Sequence, residues 1–243
     1  MEHDFKDIRG LIFDYGGTLD AGGDHWAAVL LDQYRLAGAD LSFSQFAPAY
    51  IAAERRLEAE YLIHPDFTFL DTMLIKTALQ AERLVADGVL KPELADETAH
   101  TVALECYESA RRHIDRARPL LEALACRYPM VLVSNFYGNI AAVLRDFGLR
   151  DLFKGIVESE TIGLRKPDPH IFAIGCTVLG LDPSQVLVTG DSLSKDIIPA
   201  RSLGCRTAWI QGRPWPGDST AGAGLPDAEP TTLSALATGL LAG

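Results

Sequence analysis

The sequence predicts an α/β fold: a Rossmann-like parallel sheet core with an all-helical cap inserted after the first strand. Three observations lead to it. A short apolar run at residues 11–13 ends at Asp14 and the Gly16-Gly17 pair, as a buried strand ends in a tight turn. Residues 20–112 then carry helical signals only. Beyond Pro119, short apolar runs alternate with amphipathic stretches, the pattern of a parallel sheet with helices on both faces. At ~100–200 residues per domain, 243 residues make one domain with a sizeable insertion, or two domains. The expected division is a core of residues 1–19 and 114–243 around a cap of residues 20–113.

Within the insertion, Trp26, Val29, Leu30, Leu31 and Tyr34 recur at helical spacing, and Gly38 stops that helix. Ser42 and Gln45 resemble a capping box ahead of an amphipathic helix over 46–61. A third helix spans 69–86 and stops near Gly88. Pro92, favoured as a first helical residue, opens a fourth reaching residue 112. Four helices in a row imply a bundle. Then come a helix over 119–127, a strand over 130–133, a helix over 138–147 and a short strand at 156–157. A helix over 169–179, stopped by Gly180, precedes a strand over 186–188, a helix over 194–203 and a strand over 207–210. The opening strand joins this sheet, because alone it has no partner. Residues 212–230, rich in Gly, Pro, Asp and Ala, read as a surface loop before a short final helix over 233–241.

Composition narrows the function. With 48% hydrophobic and 23% charged residues, a disordered chain or a collagen-like repeat is excluded. Thirty-three acidic against 22 basic residues give a net charge of −11, and an acidic surface repels a phosphate backbone. A broad nucleic-acid footprint is therefore not expected. A small phosphorylated ligand is allowed, since one buried Lys and a bound metal can reverse the field locally. Cys106, Cys126, Cys176 and Cys205 form no CxxC pair and match no zinc spacing, so they read as small buried hydrophobes in a reducing compartment. The opening Met-Glu-His-Asp-Phe-Lys-Asp has no apolar signal core, and no apolar run approaches the ~18 residues a membrane span needs. The expected location is cytoplasmic, with no membrane partner.

In open parallel sheets, ligands sit beyond the carboxyl ends of the strands. The residues that follow the predicted strands are Asp14-Tyr15-Gly16-Gly17-Thr18, then Ser134-Asn135, then Gly190-Asp191-Ser192 with Asp196 close behind. Between them, Leu164-Arg165-Lys166-Pro167-Asp168-Pro169 leads into a helix. The set holds three carboxylates, one Lys, hydroxyls and Gly-flanked N–H groups. Clustered carboxylates repel unless a cation neutralises them, and oxygen ligands select a hard metal such as Mg²⁺. Lys and oriented N–H groups would hold an anion beside it. A metal, an anion clamp and a free carboxylate together suggest phosphoryl transfer through an aspartyl intermediate.

These residues resemble the four motifs of the haloacid dehalogenase-like hydrolase superfamily. In order they are Phe13-Asp14-Tyr15-Gly16-Gly17-Thr18-Leu19, Val133-Ser134-Asn135, Arg165-Lys166-Pro167, and Gly190-Asp191-Ser192 with Asp196. The helical insertion is similar to the family's type-one cap, which covers the site and selects substrates. The resemblance implies that Asp14 is the nucleophile. It implies that Asp14, the Gly16 carbonyl and Asp191 hold Mg²⁺, with Asp196 in support. Ser134, the Asn135 N–H and Lys166 would hold the phosphoryl oxygens of a small phosphorylated metabolite, with Gly17 and Thr18 contributing from the turn.

One position departs from the pattern. Family phosphatases carry a second Asp two residues after the nucleophile, which protonates the leaving group and activates water. Here it is Gly16. General acid–base catalysis typically contributes ~10²–10⁴-fold, or about 3–5 kcal/mol of barrier. Three explanations compete. Another group, Asp20, Asp24 or His25, supplies the proton. The substrate needs none, as in phosphonate-cleaving relatives that use a cap Lys, or in halide-releasing relatives that do without Mg²⁺. Or turnover is lost and ligand binding kept. The cap lysines, Lys76 and Lys91, read as exposed helix residues. Glu54, Arg55, Arg56, Glu58 and Glu60 read as a solvated helix face. Trp26 and Trp215 read as core packing.

Overall fold

In the computed structural model, which describes residues 5–215 and 226–242, the opening apolar run becomes strand β1 (Gly10–Phe13). Residues 1–4 of the opening segment and 216–225 of the expected loop lie outside the described residues. The insertion follows as α1 (Trp26–Leu36), α2 (Phe43–Ala59), α3 (Phe69–Ala86) and α4 (Ala95–Ala125). Then come β2 (Met130–Ser134), α5 (Ile140–Asp146), β3 (Gly155–Glu158), a one-turn α6 (Ser159–Ile162) and α7 (His170–Leu179). The chain ends through β4 (Val186–Gly190), α8 (Ile198–Ser202), β5 (Arg206–Trp209) and α9 (Leu233–Ala242).

The five strands form one parallel sheet in the order β3-β2-β1-β4-β5. Ile12 lies opposite Val131 on one side and Val188 on the other, so β1 is central and buried on both faces. Alternate side chains of a strand point to opposite faces. Leu11 and Phe13 enter the large core shared with Leu30, Phe69, Leu84 and Ile114 of the inserted helices. Ile12 enters a second core with Val131, Val133 and Val188, closed by Ile171 and Phe172 of α7. From β1 the chain builds outward to β3, then returns to place β4 on β1's other side. The strand order reverses there, which is where such sheets bind ligands.

Two expectations need correction. The separate helices over 92–112 and 119–127 are one helix, α4, preceded by a single 3₁₀ turn at Pro92–Leu94. Its buried positions, among them Val102, Cys106, Ala110, Ile114, Ala117, Leu121 and Leu124, keep the helical period across Pro119. Pro119 sits on the exposed face of the helix. The helix expected over 194–203 is a five-residue π-turn, Leu193–Ile197, running into α8. Elsewhere local chemistry sets the boundaries. Ser42 and Gln45 do form a capping box, so α2 starts at Phe43, and Thr68 with Asp71 makes a second box at α3. Cys106, Cys176 and Cys205 are buried free thiols, while Cys126 is exposed at the end of α4.

The segment after β5 crosses the entry to the insertion. A Cβ on Gly212 would lie 2.2 Å from the Gly23 carbonyl carbon, so the backbones touch where no side chain fits. His25 N donates to Arg213 O (2.9 Å), and the Arg213 guanidinium pairs with Asp24 (2.7 Å) and Asp32 (2.5 Å). No described helix is long and apolar enough to cross a membrane.

Because one apolar cluster joins the sheet to α1, α3 and α4, both should unfold together. Ile114→Ala, at a fully buried site on α4, should cost about 2–5 kcal/mol. Urea transitions followed by fluorescence and by far-UV circular dichroism should stay superimposed.

Candidate active site

The first turn is built by two carboxylates with different tasks. Asp14, just past β1, keeps the ladder one residue further by donating its N–H to Thr189 O (2.9 Å). Its side chain accepts from Thr18 Oγ1 (3.0 Å), and the same hydroxyl lies 3.1 Å from Asp191 Oδ1. Asp20 holds the turn from below: Gly17 N and Trp26 Nε1 donate to its two oxygens at 2.7 and 2.9 Å. Gly17 has φ +94°, and a Cβ there would meet Asp191 Oδ2 at 2.6 Å, so only glycine fits. Burial pushes the Asp20 carboxyl up to about 7, despite the two hydrogen bonds that favour its charged form.

Lys166 joins the remaining segments. Its buried ammonium donates to Asp14 Oδ1 (2.6 Å) and Asp196 Oδ1 (2.7 Å). Asn135, after β2, grips the Lys166 backbone on both sides: Lys166 N donates to Asn135 Oδ1 (2.9 Å), and Asn135 Nδ2 donates to Lys166 O (3.1 Å). Asp196 Oδ2 accepts from Ser192 N (3.1 Å), which closes the turn after β4. Gly190 admits that closure, since a Cβ there would lie 2.4 Å from Asp196 Cβ.

Asp14, Asp191 and Asp196 each offer an oxygen within 4.8 Å of the others. Burial opposes the charge on Lys166, but Asp14 and Asp196 outweigh it and hold the ammonium above its ordinary value. Burial pushes Asp191 well above the carboxylate range, and the charges of Asp14 and Asp196 add to the effect. Burial also raises Asp196, against the pull of Lys166. Three carboxylates facing one ammonium lack positive charge, and an all-oxygen donor set of this size fits a hard divalent cation.

Above this floor lies a cavity of about 410 Å³. Asp14, Gly16, Ser134, Asn135, Lys166, Asp191 and Asp196 all line it, as the sequence motifs imply. Gly17 and Thr18 lie outside the lining: the Gly17 N–H is taken by Asp20, and the Thr18 hydroxyl by two carboxylates. Both residues shape the turn. Of the three groups considered as proton donors, Asp20 and Asp24 are also outside the lining and engaged elsewhere, and only His25 reaches the cavity. A Cβ on Gly16 would fit without a clash, in ordinary contact with Trp26 Cδ1 at 3.8 Å.

The helical side of the cavity corrects three further expectations. Lys76 is buried, not exposed: its ammonium lies 2.7 Å from Glu54 Oε1 and donates to the Tyr137 hydroxyl (2.7 Å), which donates to Glu54 Oε2 (2.6 Å). Burial opposes the Lys76 charge, but Glu54 outweighs it and the ammonium stays above its ordinary value. Glu54 and Glu58 line the cavity, and Glu58 pairs with Arg165 at 2.7 Å; Arg55, Arg56 and Glu60 behave as a solvated face. Trp26 and Trp215 pack on the core and also line the cavity. Lys91 is exposed, as expected. The signal for Lys76 was present in the chain, since it falls in the stripe Phe69, Thr72, Met73, Lys76, Gln80 that α3 buries.

The haloacid dehalogenase-like hydrolase family matches residues 8–204, from the start of β1 to the end of α8. The chain belongs to this family. It is 30% identical over 172 residues to haloacid dehalogenase-like hydrolase domain-containing protein 3 of Danio rerio, covering 70% of this chain and 71% of that protein. It is 36% identical over 107 residues to a phosphoglycolate phosphatase of Chromobacterium violaceum, covering 44% and 46% of the two chains. The match thus spans about half the length of that relative. Among solved structures, YfnB of Bacillus subtilis, described as a putative hydrolase of this family bound to magnesium, superposes with TM-score 0.56 at 22% identity, covering 94% of this chain and 96% of that one. A dehalogenase in an intermediate complex superposes with TM-score 0.63 at 18% identity, covering 95% and 96%. At such identities these two share the fold.

Asp20 gives a pH dependence with a definite sign. Its folded value of about 7 lies above the ordinary 3.8, so between those limits the native state keeps a proton that the unfolded chain has released. In metal-free protein, stability should fall as pH rises from about 4 to about 7. Asp20→Asn should reduce that slope by up to about 1.4 kcal/mol per pH unit in urea titrations. An unchanged slope would show that Asp20 does not carry the effect.

Proposed function

We propose that this protein is a Mg²⁺-dependent phosphatase of small phosphorylated metabolites that works through a covalent Asp14 aspartyl-phosphate. The observation that carries the reading is the single cluster in which Lys166 bridges Asp14 and Asp196 while Thr18 links Asp14 to Asp191. The phosphatase names among its relatives and the magnesium in a structural neighbour support it. The matched part of the chain covers only some of each phosphatase, so the whole activity is part of the proposal.

An Asp14 carboxylate oxygen forms a bond to phosphorus as the ester O–P bond breaks. Lys166, with Ser134 and Asn135 at the end of β2, holds the phosphoryl oxygens. Water then cleaves the acyl phosphate, releasing inorganic phosphate and restoring Asp14. Asp14, Asp191, Asp196 and the Gly16 carbonyl would hold Mg²⁺, which when bound screens the charge of the nucleophile and the phosphoryl group.

The leaving oxygen meets no carboxyl acid at position 16. Gly16 has no side chain. His25 lines the cavity, and its Nδ1 accepts from Ala27 N (3.1 Å), which commits that nitrogen to the start of α1. Lys76 is stabilised as an ammonium, which makes it a weak acid. The same charge opposes phosphonate cleavage through a Lys76 Schiff base, because that route needs a neutral amine. Ligand binding without turnover is a second reading, and Gly16 is the observation that favours it.

With p-nitrophenyl phosphate and Mg²⁺, wild type should turn over, because this leaving group needs little acid help. Asp14→Asn should lower the rate by about 10³-fold or more. Gly16→Asp, for which the cavity has room, should raise hydrolysis of alkyl phosphates by ~10²–10⁴-fold and change p-nitrophenyl phosphate far less. An Asp14→Asn enzyme as active as wild type would refute the nucleophile. A silent wild type beside an active Gly16→Asp would establish the binding reading.

A further inference from the structure

The helical side of the cavity differs from its floor. Trp26, Tyr50, Phe136 and Trp215 all pack on the main apolar core, yet each stays only partly buried, and all four line the cavity. Trp26 lies 5.3 Å from Phe69. Trp215 lies 5.5 Å from Tyr50 and 5.4 Å from His25, while Phe136 lies 5.0 Å from Tyr137. Aromatic surface left open inside a concave site is apolar area that water must cover, and a flat apolar group would release that water.

The charges on this side are already matched. Lys76 is paired with Glu54 and Arg165 with Glu58, each at 2.7 Å. Lys195, the third lysine of the lining with Lys76 and Lys166, is exposed on the Leu193–Ile197 turn next to Asp196, beside the proposed phosphoryl end. A carboxylate on the leaving group that reached Lys76 would have to break its largely buried pair with Glu54, whereas the Arg165–Glu58 pair is exposed and contributes little. The volume of about 410 Å³ is also in the range of sites for ring-sized ligands, ~300–1,000 Å³.

We propose that the substrate's leaving group is a flat, uncharged, ring-bearing group held among Trp26, Tyr50, Phe136 and Trp215. The inference rests on the phosphatase reading for the end that carries phosphorus, and on the cavity lining for the rest.

Binding and hydrolysis test it separately. Benzyl phosphate, ethyl phosphate and 2-phosphoglycolate, titrated by calorimetry into Asp14→Asn protein with Mg²⁺, present the same phosphoryl group with a ring, without one, and with a carboxylate. Benzyl phosphate should bind about tenfold tighter than ethyl phosphate, and 2-phosphoglycolate no tighter than ethyl phosphate. Trp215→Ala in the same background should cut the benzyl-to-ethyl ratio about fivefold. Tyr50→Leu serves if circular dichroism shows that variant misfolded. In wild type, benzoyl phosphate and acetyl phosphate have leaving groups of similar acidity, so a ratio of kcat/KM of about ten in favour of benzoyl phosphate is expected. Equal affinity for benzyl and ethyl phosphate, or tightest binding of 2-phosphoglycolate, would overturn the inference. A ring preference in binding with no hydrolysis of either acyl phosphate would keep it and sink the phosphatase reading. Hydrolysis without ring preference would do the reverse.

Discussion

The structure of the site depends on one buried ammonium. Lys166 touches Asp14 and Asp196, and its own backbone is gripped by Asn135, so one residue ties together the segments after β1, β2 and β4 and the loop before α7. Burying such a cluster is favourable only if each charge keeps its partners, since removing one leaves another uncompensated. The sheet order brings the pieces together. β1 lies between β2 and β4, and the residues that follow these strands meet where the order reverses.

The two adjacent glycines of the first turn show how backbone and chemistry separate. Gly17 is required by shape, with a positive φ and an Asp191 carboxylate where its side chain would be. Gly16 is under no such demand, because a Cβ would find its nearest neighbour at 3.8 Å. The lack of a side chain at 16 is therefore a chemical property of the site and not a steric one. Under the proposed phosphatase reading, it would move the burden of leaving-group departure from the enzyme to the substrate. The far side of the cavity offers ring faces and the ion pairs of Lys76 with Glu54 and Arg165 with Glu58.

The order of strands and helices and the floor of the site were legible because they rest on short-range signals. Asp14, Ser134, Lys166, Asp191 and Asp196 each follow an apolar run or sit in a recognisable motif, and strand ends converge by topology. What escaped depends on contacts between distant segments. Lys76 becomes a buried, charged lining residue only because Glu54 of α2 and Tyr137 after β2 arrive beside it. The hydrogen bonds of Gly17 N with Asp20, and of the Thr18 hydroxyl with Asp14 and Asp191, likewise depend on the folded turn and the approach of the segment after β4. Pro119 reads as a break until the burial rhythm from Val102 to Leu124 is followed across it.

That unbroken helix bears on how the insertion could be exchanged for another. A cut between residues 113 and 114 would fall in the middle of α4 and strip backbone donors and acceptors on both sides of their partners. A clean graft would leave the helix at Cys126, where its last N–H groups already close onto Glu122 and Leu124. It would enter beyond the contact of Gly23 with Gly212, so that the clasp between the two loops stays with the sheet. The transferable unit is therefore longer at its carboxyl end than the cap itself, and any replacement must bring a final helix of matching length and apolar face.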